Sequence, residues 1–127
     1  MPIVSISLNS ELLGEVEAMM KELGYAGKSE LVRAALRTLI AEKRERDNLV
    51  GQVSSILIAS HNEEAEEVVT ALKHRYERCI NTHLHSKQES GKCLELFILK
   101  GDASDVKRMH REFQKNRKID YAKIVPL

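Results

Sequence analysis

Tryptophan is absent from this sequence of 127 residues, and cysteine occurs only twice, as Cys79 and Cys93. Two cysteines are too few for a disulfide framework and fit a reducing cytoplasm. No apolar run approaches 18 residues, so no segment is expected to span a membrane. The opening Met1-Pro2-Ile3-Val4-Ser5 lacks a basic stretch followed by an apolar one, so no secretion leader is expected. The chain also lacks charge of one sign: the net value is +1. Any nucleic-acid binding must therefore rest on positioned contacts and not on a general positive field. With 43% hydrophobic residues the chain is globular, and its length suits one domain or two small ones.

The patterning present favours two domains, residues 1–46 and 50–127. In the first, Val4, Ile6 and Leu8 alternate with Ile3, Ser5 and Ser7, which predicts a short strand. Asn9 or Ser10 can cap a helix carrying Leu12, Leu13, Val16, Met19, Met20 and Leu23, ended by Gly24-Tyr25-Ala26-Gly27. Ser29 is the expected cap of a second helix, with Leu31, Val32, Ala35, Leu36, Leu39 and Ile40 on its apolar stripe. The charged run 41–48 reads as the end of that helix passing into a short connector.

One strand and two helices cannot close a core alone, so a homodimer with paired strands is expected. Such a ribbon fits the major groove of double-stranded DNA, with Ser5 and Ser7 reaching base edges and Ile3 a thymine methyl. The open amides near Ser29 and Glu30 could hold a phosphate, with Lys28 and Arg33 nearby. A ribbon used only for dimerisation is the plainer alternative. The strand-helix-helix pattern over residues 2–42, with Gly24-Tyr25 and Lys28-Ser29-Glu30-Leu31-Val32-Arg33, resembles the ribbon-helix-helix repressors.

From Val50 the pattern changes. Val53–Ala59 reads as a strand, 62–79 as a helix, 80–87 and 92–100 as strands joined at Glu89-Ser90-Gly91, 103–114 as a helix and 121–125 as a strand. The order β-α-β-β-α-β is ferredoxin-like (ACT-like), which makes the chain α+β overall. On strand 93–99, Leu94, Leu96 and Ile98 form one face and Cys93, Glu95, Phe97 and Leu99 the other. Both are partly apolar, so one should cover the helices and the other a partner subunit.

The chemistry-bearing residues of this half are His74, His83, His85 and Cys93. A strand sends His83 and His85 to one face. The expected hairpin register sets His85 opposite Cys93, His83 opposite Glu95 and Lys87 opposite Gly91. His85 and Cys93 would then be cross-strand neighbours about 5 Å apart at Cβ. Imidazoles with a thiolate suit nickel, cobalt, copper or zinc, not magnesium or calcium. His74 lies off its helix's apolar stripe and is expected to reach another chain. Glu95 is expected to ligate or to fix an imidazole. His61 and His110 have no partner at ligand spacing and read as surface or edge histidines, and Cys79 as a core residue. Gly101 reads as a bend, with Asp102 or Ser104 capping the next helix.

Leu72-Lys73-His74-Arg75-Tyr76, Leu84-His85, Cys93-Leu94-Glu95 and Leu99-Lys100-Gly101-Asp102 are similar to the landmarks of the nickel-responsive repressor family (NikR). With the first segment, the resemblance covers nearly the whole chain. It implies a homotetramer, a planar nickel site with His85 and Cys93 from one chain and His74 from a neighbour, and binding to a palindromic operator. Two positions depart from the family. Lys87 stands where the resemblance calls for a ligating histidine, and an ammonium group cannot ligate; His83, on the correct face, is the expected substitute. Ala34 replaces a common Asp, which argues against a secondary cation site there. The functional expectation is a metal-responsive transcriptional repressor, most simply nickel-responsive. The alternative is a metal-independent DNA-binding regulator whose second domain oligomerises or senses a small molecule. An enzyme is not expected, because no well-placed general base accompanies the ligands beyond Glu95.

Overall fold

A computed structural model describes all 127 residues. The chain forms two compact units, Met1–Lys43 and Arg44–Leu127. The boundary falls within a helix, because the charged run 41–48 does not break helical pairing: helix α2 spans Lys28–Asp47.

In the first unit, α1 covers Ser10–Leu23. The Asn9 side chain caps it, accepting from the Leu12 amide at 2.8 Å. Gly24, at φ 74°, ends it in a left-handed conformation open to glycine at little cost. Ser29 lies in the first turn of α2, one residue inside its start, and not at the expected capping position. Residues 1–8 make no strand within the single chain; a lone extended segment has no ladder partner. Only Leu31 of this unit's two helices is buried, and Leu12, Met19, Leu36 and Leu39 are exposed.

The second unit is a four-stranded antiparallel sheet of β1 (Gln52–Asn62), β2 (Ile80–Lys87), β3 (Lys92–Asp102) and β4 (Ile119–Pro126), in the order β2-β3-β1-β4. Helices α3 (Glu66–Arg75) and α4 (Ala103–Lys115) complete the ferredoxin-like arrangement. The expected continuous helix 62–79 is a shorter α-helix between two 3-10 turns, Glu63–Ala65 and Glu77–Cys79. The tighter second turn lets Tyr76 and Cys79 both face the core.

Period-two alternation decides which sheet face is covered. Ser55, Leu57, Ala59 and His61 of β1 are buried, as are Cys93, Glu95, Phe97 and Leu99 of β3. Val106, Met109 and Phe113 of α4 lie in the same core, with Phe97 and Phe113 edge to face at 5.7 Å. The opposite face leaves Leu84, Leu94 and Tyr121 exposed. Asp102 caps α4, accepting from the Ser104 amide at 3.0 Å. Gly101 is not a bend but part of β3, where a Cβ would meet the Cys79 sulfur at 3.2 Å.

Candidate metal centre and nucleic-acid interface

The register of the β2–β3 hairpin sets the geometry of the site. Lys87 pairs with Cys93, His85 with Glu95 and His83 with Phe97. This is two residues away from the expected register, because the chain reverses about Ser90, one residue later than expected: the Gln88 amide donates to the Lys92 carbonyl at 2.7 Å, and Gly91 adopts φ 86°. A shift of two keeps every side chain on its face. The histidines, Cys93 and Glu95 therefore still converge, but with different neighbours.

Glu95 sits at the centre, buried. His83 Nε2 lies 2.5 Å from its Oε1, His61 Nε2 lies 3.1 Å from its Oε2, and His85 Nε2 lies 3.4 Å from Oε2. His61 is neither a surface nor an edge residue. It is fully buried, its Nδ1 donating to the Asn62 carbonyl at 2.6 Å. It continues the inward row of Leu57 and Ala59; reading β1 as ending at Ala59 hid that periodicity. His110 is buried as well, its Nε2 3.1 Å from the Ala122 carbonyl oxygen. His83 stacks on Phe97, ring centroids 4.4 Å apart. Its nitrogen is thus committed to Glu95 and not to Cys93.

The donor group that forms is Glu66, His85 and Cys93, whose ligating atoms all lie within 4.8 Å of one another. Glu66 opens α3, and the sequence reading did not single it out; a carboxylate at a helix start carries no spacing signal on its own. Carboxylate, imidazole and thiol are all ligands for a divalent transition metal, so the residues present fit such an ion. Burial, followed by the charges of Glu66, Glu63 and Glu95, pushes the Cys93 thiol above its ordinary range, with Lys87 opposing. A cation here would relieve that repulsion as the thiol proton leaves.

His74 lines a cavity of about 260 Å³ together with His61, Glu66, His83, His85 and Glu95 of its own chain. It is exposed at the edge of the same site, as well as lying off its helix's apolar stripe. Lys87 forms an ion pair with Glu63. Cys79 is buried in the core, and both cysteines are free thiols.

In the first unit Ile3, Ser5 and Ser7 are all exposed. Lys28 Nζ lies 3.4 Å from Glu17, and Arg33 pairs with Glu30 across one helical turn. Arg33 also holds the Glu30 carboxyl below its ordinary range.

These two units define a regulator of two parts, a DNA-binding module and a metal-binding module. Residues 3–43 match the family model for ribbon-helix-helix proteins of the copG family, and residues 51–126 match that for the NikR C-terminal nickel-binding domain. The chain is 30% identical over 124 residues to a protein of Methanococcus maripaludis described as a nickel-responsive regulator, covering 95% of this chain and 88% of that one. It is 35% identical over 109 residues to a protein of Haloarcula marismortui with the same description, covering 84% and 78%. Among solved structures, the uncharacterized protein TM1266 from Thermotoga maritima matches with a TM-score of 0.56 at 19% identity, covering 60% of this chain and 98% of that one. That likeness concerns the fold alone.

The chain belongs to the nickel-responsive regulator family. It joins a ribbon-helix-helix DNA-binding domain to a metal-binding domain whose cofactor is nickel or a related metal, and both domains are of non-catalytic, regulatory families. No helix is long and apolar enough to cross a membrane.

Proposed function

We propose that the chain is a metal-responsive transcriptional repressor that binds a palindromic operator as a homotetramer. The Glu66, His85 and Cys93 group carries this reading, because it gathers carboxylate, imidazole and thiol donors in the unit that matches a metal-binding domain. His85 and Cys93 serve as own-chain ligands, and His74 of a second copy is donated across the subunit contact. A bound divalent cation supplies charge that several side chains can share. Cys93 gives up its proton to bind, and Glu95 fixes the imidazoles through its contacts with His61, His83 and His85. His83 holds its Nε2 against Glu95 and its ring against Phe97, an arrangement that suits orienting the Glu95 carboxylate.

In the other unit two copies pair their residues 3–8 as a ribbon. Ser5 and Ser7 meet base edges and Ile3 a thymine methyl. Lys28, Ser29 and Arg33 hold phosphates, the cations exchanging their exposed carboxylate partners for DNA. The regulator works in the cytoplasm, where Cys79 and Cys93 stay reduced. Metal binding by the assembled core favours the arrangement of DNA-binding dimers that matches two half-sites.

Fluorescence anisotropy of a labelled operator duplex tests this. Affinity should rise with nickel or cobalt and fall with chelator. Equal affinity in all three conditions would reject metal control.

A further inference from the structure

Lys87 stands across the ladder from Cys93, but its ammonium is engaged by Glu63. The two side chains are paired with each other on the exposed side of the site. Glu66 remains on the α3 side of the site. Its carboxylate reaches the His85 and Cys93 donor atoms within 4.8 Å.

We propose that Glu66 is itself a metal ligand, giving an imidazole, carboxylate and thiolate set within one chain that prefers zinc to nickel. The proposal rests on the metal-centre reading above and sharpens it. Charge supports the assignment: Glu66 and Glu95 both place carboxylates at the site, and a divalent ion would offset the negative charge they gather around the thiol. Donor chemistry supports the preference. Zinc accepts thiolate, imidazole and carboxylate together without a geometric demand of its own, whereas the nickel site implied by the family resemblance is planar and uses a histidine at the strand position that Lys87 holds here. The position of Lys87 gives a physical reason for the change of ligand. Removing an imidazole from the strand leaves a gap in the donor set, and the adjoining helix start fills it.

The test uses the full-length chain, freed of metal and titrated with cobalt(II). It reads the thiolate-to-metal charge-transfer band and the visible d–d bands, followed by competition with zinc and nickel. Zinc should displace cobalt, and nickel should compete at least about tenfold more weakly than zinc. Loss of a partner that only orients a ligand costs about 10–100-fold in affinity, so Glu66→Gln should weaken cobalt and zinc by at least about tenfold. It should also change the d–d bands while keeping the charge-transfer band, because Cys93 remains. Far-UV circular dichroism should be unchanged, since Glu66 is exposed. Wild-type affinity and spectrum in Glu66→Gln would overturn the ligand assignment, and nickel binding as tightly as zinc to the wild-type chain would overturn the preference. Cys93→Ser distinguishes the two levels. If it abolishes the charge-transfer band while Glu66→Gln changes nothing, only the present proposal fails. If Cys93→Ser also binds normally, the metal centre itself is refuted.

Discussion

The two units differ in how much of their own apolar surface they cover. In residues 44–127, Leu57, Phe97, Leu99, Val106, Met109 and Phe113 have no solvent exposure at all. In residues 1–43 only Leu31 is buried, while Leu36 is 52% exposed and Ile6 68%. Four strands and two helices can close around a core within one chain; two helices and an unpaired segment cannot. The second unit closes its core within one chain, and in the proposed dimer the first would draw its core from a second copy. That contrast suits the proposed regulator, whose DNA-reading ribbon would form on assembly.

The contrast can be broken most strongly at Phe97. Phe97→Ala removes a ring packed against both Phe113 and His83, and should cost about 3–5 kcal/mol in urea unfolding of the second unit. Leu36→Asp attacks the other side of the comparison. It places a charge on a surface that is exposed in one chain but covered in the proposed dimer. It should weaken dimerisation by about 2 kcal/mol or more, measured by sedimentation, and leave the unfolding midpoint of the second unit unchanged. An unchanged dimer would mean that α2 does not form the shared core.

Tyr76 gives a pH handle on the one-chain core. Burial first, and the Glu112 carboxylate second, push its hydroxyl up to about 12. In the unfolded chain a tyrosine releases its proton near 10. The contribution is therefore fully present below about pH 10 and is lost as pH rises through about 12, on the order of 2 kcal/mol. Tyr76→Phe should lack this part of the alkaline loss when urea midpoints at about pH 9 and about pH 11.5 are compared. The smallest effect is expected at the α1 cap. Asn9→Ala removes the bond to the Leu12 amide and should cost about 1 kcal/mol, read as reduced helicity and a lower dimer melting temperature.

Much of this protein was legible along the chain. Alternating and helical periodicities placed the second unit's strands and helices and their ferredoxin-like order, because each reflects a single buried face. The landmarks around His74, His85 and Cys93 carried the family. The helix 62–79 was read too simply, because one apolar stripe fits a continuous helix as well as an α-helix bracketed by 3-10 turns. Ser29 was read as a cap on residue preference alone, which does not locate a helix start to within one residue.

Sequence by itself determined that His83 and His85 share a face, since the strand period is two and survives a register slip of two residues. Tertiary structure alone decided which groups meet. The tight turn after Lys87 moved His85 opposite Glu95 and brought Lys87 opposite Cys93. The pairing of β1 with β3 set His61 opposite Cys93, close enough for its ring to reach Glu95. The start of α3 brought Glu66 beside the thiol. Those contacts join residues up to 34 positions apart, and no local periodicity encodes the distance between two donors on different elements.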